Sequence, residues 1–240
     1  MDLHGRTAVV TGASSGIGEA VARRLAAEGA CVALLARRKD RIEAVAAECG
    51  GLAVEVDVAS HAAQVAAAEL VRDRLGPVDL VVANAGFLQT DPVLDAEPDR
   101  AAELVTTNLT GAAWTARIFA TDLRAAAASG GRADVVFVSS GGGMPIVALY
   151  GATKAAVAHL ARAMRVELAP AGVRVHDVEP AWTTTPLADD YAATLGIPLP
   201  DPAAPQPLTP DDVAAAVAYC VAAPPNVNVS HLALTPTWLV

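Results

Sequence analysis

The chain has 240 residues, and 17 Lys+Arg against 26 Asp+Glu give a net charge of −9 at pH 7. That length suits one domain with a sizeable core, or at most two small ones, and 53% apolar with 18% charged residues excludes intrinsic disorder. The acidic balance argues against nucleic acid as the main partner, while leaving room for a local basic site for one phosphorylated cofactor.

In chain order, short apolar runs alternate with Ala-rich helical segments. Thr7-Ala8-Val9-Val10 reads as a first strand, followed by a Gly/Ser loop and a helix that ends near Gly29. Further strands are expected at Cys31–Leu35, Leu52–Val56, Val78–Val82, Val135–Val138 and Val173–Val178, with a short seventh at Leu232–Leu234. Near-continuous apolar strands separated by helices are the pattern of a parallel sheet covered on both faces. After Tyr150, the residues Val157, Leu160, Ala161, Met164 and Leu168 keep helical spacing, until Pro170 and Gly172 stop the helix. The Pro-rich stretch 197–210 suits a surface loop or lid. The expected fold is α/β: one domain over 1–240, a Rossmann-type doubly wound parallel sheet of about seven strands, with a substrate-side lid around 183–210.

Cys31, Cys49 and Cys220 are odd in number and scattered, so neither a disulfide framework nor a metal site is expected. The first residues lack a charged-then-apolar leader, and no run of about 18 uncharged apolar residues occurs. A cytoplasmic protein without membrane attachment is the expectation.

Thr11-Gly12-Ala13-Ser14-Ser15-Gly16-Ile17-Gly18 directly follows the first strand and opens a helix. Glycines there permit a tight turn and close backbone approach to a pyrophosphate, and the helix N-terminus offers free N–H groups to that anion. A lone strand-to-helix turn would look similar; the strand–loop–helix context favours the binding reading. At the end of the second strand stand Arg37 and Arg38, where an acidic residue would accept ribose hydroxyls. Guanidinium groups grip a phosphate, so NADP(H) is favoured over NAD(H); a solvated basic helix start is the other reading. Asp57, just past the third strand, is placed to accept from an adenine amino group or to cap a helix.

Tyr150 and Lys154 lie four apart at a helix start, on one face. A nearby ammonium lowers a phenol's pKa, so the pair could exchange a proton with a substrate hydroxyl or carbonyl. Such a pair alone is usually surface decoration, but Ser139-Ser140-Gly141-Gly142-Gly143 precedes it at the carboxyl end of the fifth strand, where ligands bind in open α/β sheets.

With these motifs together, the chain resembles the classical short-chain dehydrogenase/reductase family. The matching residues are the 11–18 loop, Asn84-Ala85-Gly86, Asn108, Ser140, Tyr150-x-x-x-Lys154 and Pro180 through Thr185. The resemblance implies a catalytic set of Asn108, Ser140, Tyr150 and Lys154. Tyr150 would be the acid/base and Ser140 would position the carbonyl. Lys154 would hold the nicotinamide ribose and lower the Tyr150 pKa, and Asn108 would anchor a water. The implied cofactor contacts are Gly12, Ser14, Ser15, Gly16, Ile17, Gly18, Arg37, Arg38, Asp57, Val58, Asn84, Ala85, Gly86, Tyr150, Lys154, Pro180, Thr183 and Thr185. The segments at 208–214, 224–229 and 234–237 resemble the subgroup of NADP-dependent 3-hydroxy-acid (serine-type) dehydrogenases and clavulanic-aldehyde reductase. The expected activity is NADP(H)-dependent hydride transfer to a small-molecule ketone or aldehyde, or from its alcohol, by a homotetramer or homodimer. The alternative is a sensor or scaffold that binds a dinucleotide without turnover.

Four departures bear on the pocket. The interval from Ser140 to Tyr150 is two or three residues shorter than the family's, so Ser139 competes for the serine role. Pro180-Ala181 replaces Pro-Gly, Trp182 follows it, and Ala83 stands where the family has a first Asn. His159 reads as a packing residue, and Trp114 and Phe119 as core or subunit contacts.

Overall fold

A computed structural model describes residues 2–141, 148–196 and 206–238. Seven parallel strands form one sheet: β1 (Thr7–Thr11), β2 (Cys31–Ala36), β3 (Leu52–Glu55), β4 (Leu80–Ala83), β5 (Asp134–Val138), β6 (Arg174–Pro180) and β7 (His231–Leu234), in the order β3-β2-β1-β4-β5-β6-β7. The expected strands are all present, with ends displaced by a residue or two. Val78 and Asp79 stay outside β4, where the Asp79 carboxylate accepts from Arg6 Nε at 2.8 Å.

The helices are α1 (Gly16–Ala27), α2 (Lys39–Cys49), α3 (His61–Leu75), α4 (Pro98–Val105), α5 (Gly111–Ile118), α6 (Ala120–Ala128), α7 (Ala148–Leu168), α8 (Pro186–Leu195) and α9 (Pro210–Ala222). Their ends follow local chemistry. Ser60 caps α3 by accepting from Ala63 N at 3.2 Å. Thr209 and Asp212 form a reciprocal capping box on α9, with Pro210 in its first turn. Gly172, at φ 76°, ends the turn after α7 in the left-handed conformation that glycine adopts without strain.

Both faces of the sheet are covered. Leu25 of α1, Ile42 of α2 and Val217 of α9 are buried against Val10, Leu34, Val82 and Val136 on one face. Val71 of α3, Ala116 of α5 and Val157 of α7 are buried with Val9, Val81, Val135 and Val175 on the other. Alternation of Val9 and Val10 between the two clusters shows each strand feeding both layers, which is why the strands read as continuous apolar runs.

Strand order reverses between β1 and β4: the chain runs outward from β1 to β3, then returns to the other side of β1. Ligands of open α/β sheets bind at the carboxyl ends of strands at such a switch point. At the opposite end lies a buried ion cluster. Asp134 accepts from Arg6 Nη2 at 2.8 Å, Arg174 Nε at 2.7 Å and His176 Nε2 at 2.9 Å. Arg174 also donates to the carbonyls of Val221, Ala223, Pro224 and Val227, tying the exit of α9 to the sheet. Among the described residues, no helix is long and apolar enough to cross a membrane.

Candidate active site

Thr11 and Asn84 weld the two strand ends at the switch point. Thr11 Oγ1 accepts from the N–H groups of Asn84 and Ala85, each at 3.1 Å, and Asn84 Nδ2 returns a bond to Thr11 O at 3.0 Å. This holds the chain close enough that only glycine fits above it. A Cβ on Gly18 would lie 2.3 Å from Gly12 O and 2.5 Å from Asn84 Nδ2. Gly12 also sits at φ 69°. Ser15 leads into α1 without side-chain capping, which leaves the first-turn N–H groups to a ligand. A cavity of about 500 Å³ opens beside this turn, with Gly12, Ser14, Arg38, Asp57, Gly86 and Tyr191 in its wall. The glycine floor, the free helix end and the basic rim fit a dinucleotide.

The two arginines are placed differently. Arg38 crosses to the turn and donates to Ser14 Oγ from Nε at 3.1 Å and from Nη2 at 2.8 Å, and to Ser15 Oγ at 2.6 Å. Arg37 is exposed and pairs with Glu103 at 3.8 Å. Both line the cavity, as do Ser15, Val58, Ala85 and Gly86. Asp57 Oδ1 accepts from Ala59 N at 2.9 Å, forming a local turn, while Ser60 caps the helix. Thr185 Cγ2 would meet a Cβ on Gly16 at 3.1 Å, so the start of α8 lies over the glycine turn. Thr183 is buried and donates to Ala181 O at 3.0 Å; Pro180 ends β6 and accepts from Gly141 N at 3.2 Å. Ile17 is half-buried against the core.

The second constellation stands where β5 meets α7. The Ser140 hydroxyl lies beside the Tyr150 phenol and favours its ionised form. Burial pushes the Tyr150 phenol up to about 12, against that effect. Lys154 is buried one turn on, donates to Val138 O at 2.8 Å and stands 5.9 Å from the Tyr150 ring centroid. Burial brings its ammonium down to about 8, with the Asp177 charge opposing the fall. The expectation that Lys154 pulls the phenol toward neutrality is therefore not met in this state: desolvation wins, and the ammonium faces a carbonyl. Of the two candidate serines, Ser140 faces Tyr150, whereas Ser139 is turned into the sheet and donates to Asp177 Oδ1 at 2.6 Å. Residues 142–147 of the intervening loop lie outside the described residues.

Asn108 joins the two constellations. It sits in a π-helical turn, Thr106–Thr110, between α4 and α5. Its Oδ1 accepts from Phe87 N at 3.0 Å, and its Nδ2 donates to Phe87 O at 3.0 Å and Thr153 Oγ1 at 3.2 Å. Thr153 in turn donates to Tyr150 O at 2.7 Å. The side-chain amide is thus engaged with protein groups at both ends and fixes the Gly86–Phe87 turn against α7.

Tyr191 was not evident in the sequence. It is buried on α8, packs edge-on to Trp182 at 5.8 Å between ring centroids, and joins Tyr150, Leu104, Phe87 and Leu149 in one apolar cluster. The segment 183–210 reads as a lid because of its prolines, yet its first part is helical. Thr185 caps α8 by accepting from Ala188 N, and Pro186 occupies the first turn. A Thr-Pro pair is a helix-start signal that could have found it. Residues 197–205 lie outside the described residues. His159 and Trp114 are exposed, while Phe119 is core.

Comparisons with known proteins agree with this geometry. Residues 6–196 match the family model for short chain dehydrogenases. An uncharacterised oxidoreductase of Staphylococcus aureus (strain MRSA252) is 31% identical over 237 residues, which is 98% of either chain. The crystal structure of 3-ketoacyl-(acyl-carrier-protein) reductase from Brucella melitensis, complexed with NADH, superposes with a TM-score of 0.88 at 31% identity, covering 98% of this chain and 99% of that one. An alcohol dehydrogenase from Thermococcus sibiricus, complexed with 5-hydroxy-NADP, gives a TM-score of 0.84 at 31% identity, covering 98% of each chain. A cradle for a dinucleotide, a Ser-Tyr-Lys cluster beside it and a family match across most of the chain lead to one assignment: this protein is an oxidoreductase of the short-chain dehydrogenase family.

Proposed function

We propose that the chain is an NADP(H)-dependent reductase of ketones or aldehydes, with Tyr150 as proton donor. The observation that carries this reading is the grouping of Ser140, the buried Tyr150 phenol and buried Lys154 one turn away, beside the glycine cradle. The nicotinamide supplies the hydride chemistry when bound. The chain orients the carbonyl and handles the proton. A phenol at about 12 is fully protonated at pH 7, which suits donation to a developing alkoxide. The phenolate left behind keeps the Ser140 hydroxyl as donor and gains from the Lys154 charge. The protonated phenol is the state that the reduction step uses. Asn108 acts as a positioning residue through Phe87 and Thr153.

Arg38 and Arg37 on the cavity rim support a 2′-phosphate, and with it NADP(H) over NAD(H). Beside Tyr150 the described walls are Phe87, Leu88, Leu149, Trp182 and Tyr191, so an uncharged carbonyl compound with an apolar body fits better than a small polar acid. This departs from the 3-hydroxy-acid subgroup that the C-terminal segments resemble.

A panel of apolar ketones, aldehydes and β-keto acids, with NADPH oxidation followed by absorbance, tests the reading. Tyr150→Phe should lower turnover by about 10²–10⁴-fold while NADPH affinity stays within about twofold of wild type. Near-wild-type turnover in that variant would refute the assignment. Cofactor binding with no turnover on any substrate class would favour a dinucleotide sensor instead.

A further inference from the structure

We propose that Asp177 is a positioning residue of the proposed active site: from the face of the sheet that α7 covers, it supplies the buried negative charge that partners Lys154. The role rests on the reading of Tyr150 and Lys154 as the proton-handling pair. In the register of β5 and β6, Phe137 stands opposite Asp177. Phe137 and Val175 are buried with Val157 and Ala161 of α7. Side chains alternate along a strand, so Asp177 follows Val175 on that face, and Ser139 follows Phe137. Lys154 lies three residues before Val157, on the same side of α7, and donates to Val138 O at 2.8 Å. Two strand ends and one helix thereby bring the carboxylate and the ammonium to one region.

A buried carboxylate needs hydrogen bonds and an opposite charge. Asp177 is buried and accepts from Ser139 Oγ at 2.6 Å, which supplies the first. Several cations act on it, and they are placed differently. From α7, Arg162 is exposed, and Arg165 gives its donors to Val175 O and Ser230 O. From β7, His231 is exposed and bonds Glu179 Oε2 at 2.8 Å, while Glu179, on the same strand as Asp177, carries the same sign. Lys154 is buried as Asp177 is, and its printed bond goes to a carbonyl rather than a carboxylate. Burial pushes the Asp177 carboxyl up from its ordinary range, and the Ser139 bond and the charges of His231 and Arg162 hold the rise back. Burial brings Lys154 down to about 8, and the Asp177 charge opposes that fall.

The consequence is a lysine that stays charged at the moment the phenolate forms. Desolvation alone would carry a buried ammonium further down, toward neutrality at working pH. The Asp177 charge keeps it cationic there, without touching the substrate or the cofactor. Shape is not what the role requires: an amide oxygen would accept from Ser139 as well as a carboxylate oxygen does. The charge is what an amide lacks, so the isosteric change separates the electrostatic role from a structural one.

Lys39 and Lys154 are the two lysines of the chain, so the full chain grown on ¹³C-lysine gives two Cε signals to titrate by NMR, and exposed Lys39 is the internal control. In Asp177→Asn the Lys154 midpoint should fall by about half a pH unit or more, with Lys39 unmoved. The falling limb of the pH–kcat profile should move by the same amount, lowering kcat near pH 8 by about twofold or more. NADPH binding verifies the fold, and Asp177→Ser, which also removes the charge, replaces the first variant if that does not fold. An unmoved Lys154 midpoint, or a moved midpoint with an unmoved limb, overturns the role of Asp177 alone. Loss of the fold in both variants marks a structural residue and overturns it as well. A wild-type profile flat to about pH 10 overturns the proton role of Lys154, and that of Asp177 with it.

Discussion

Lys154 is the residue whose environment makes the sharpest claim about rate. Its ammonium titrates near 8 because burial opposes the charge. The charged form predominates below that value and, in the proposed reaction, would support the phenolate that Tyr150 becomes. Reduction should therefore hold a plateau at neutral pH and decline as pH rises through about 8, as a pH–kcat profile would report; a flat profile to pH 10 would separate Lys154 from the proton step. Arg38 makes the matching claim about cofactor choice. Its bonds to Ser14 and Ser15 place it at the turn, while Arg37 leans toward Glu103. Removing either guanidinium from a phosphate costs roughly 1.5–3 kcal/mol. Arg38→Ala and Arg37→Asp should each raise the KM for NADPH by about tenfold or more with NADH little affected, and the double variant should prefer NADH. The positions of both arginines at the end of β2 and of the Tyr150–Lys154 pair on one face of α7 were legible, because a strand end and helical spacing fix where they stand. Which serine faces the phenol was not legible, since two adjacent hydroxyls differ only in the direction in which the strand presents them.

At the scale of elements, the strands were legible because each is buried on both faces and reads as an apolar run. The π turn at Thr106–Thr110 was not. It adds one residue to a helical turn without any Gly or Pro to announce it. That turn places Asn108 so that one amide bridges Phe87 and α7. Asn108→Ala removes three bonds and leaves the Phe87 N–H and C=O without their partners. The expected cost is about 1–3 kcal/mol, visible as a fall in Tm of about 2–4 °C per kcal/mol. Turnover should fall as well, since the Gly86–Phe87 turn loses its anchor against α7. A variant with wild-type Tm and kcat would show that the bridge is dispensable. Helix α8 was hidden for another reason: the prolines around it speak for a loop, and the Thr185–Pro186 start is only two residues long.

For the whole molecule, the cluster around Asp134 joins segments far apart in sequence. Burial disfavours its charge, but bonds from His176 and Arg174 and the Arg6 charge hold its carboxyl below the usual range. A depressed folded-state pKa contributes stability that is present above the ordinary carboxylate range and is lost as pH falls from that range through the lower folded-state value. Asp134→Asn keeps the shape but leaves Arg6 and Arg174 buried with less counter-charge. It should cost about 3–5 kcal/mol in urea unfolding, and its stability should depend less on pH in the acid range. A loss below about 1 kcal/mol would mean that Asp79 and the α9 carbonyls suffice to hold both guanidiniums. Nothing in the local sequence announces this cluster. Asp134, Arg174 and His176 open two strands, where polar residues are ordinary, and only the sheet order brings them together.

Tyr191 stands in the wall of the nucleotide cavity and also packs in the cluster around Tyr150. One aromatic ring thereby forms part of two compartments. Replacing Tyr191 would therefore change the wall of the cavity and the packing around Tyr150 together.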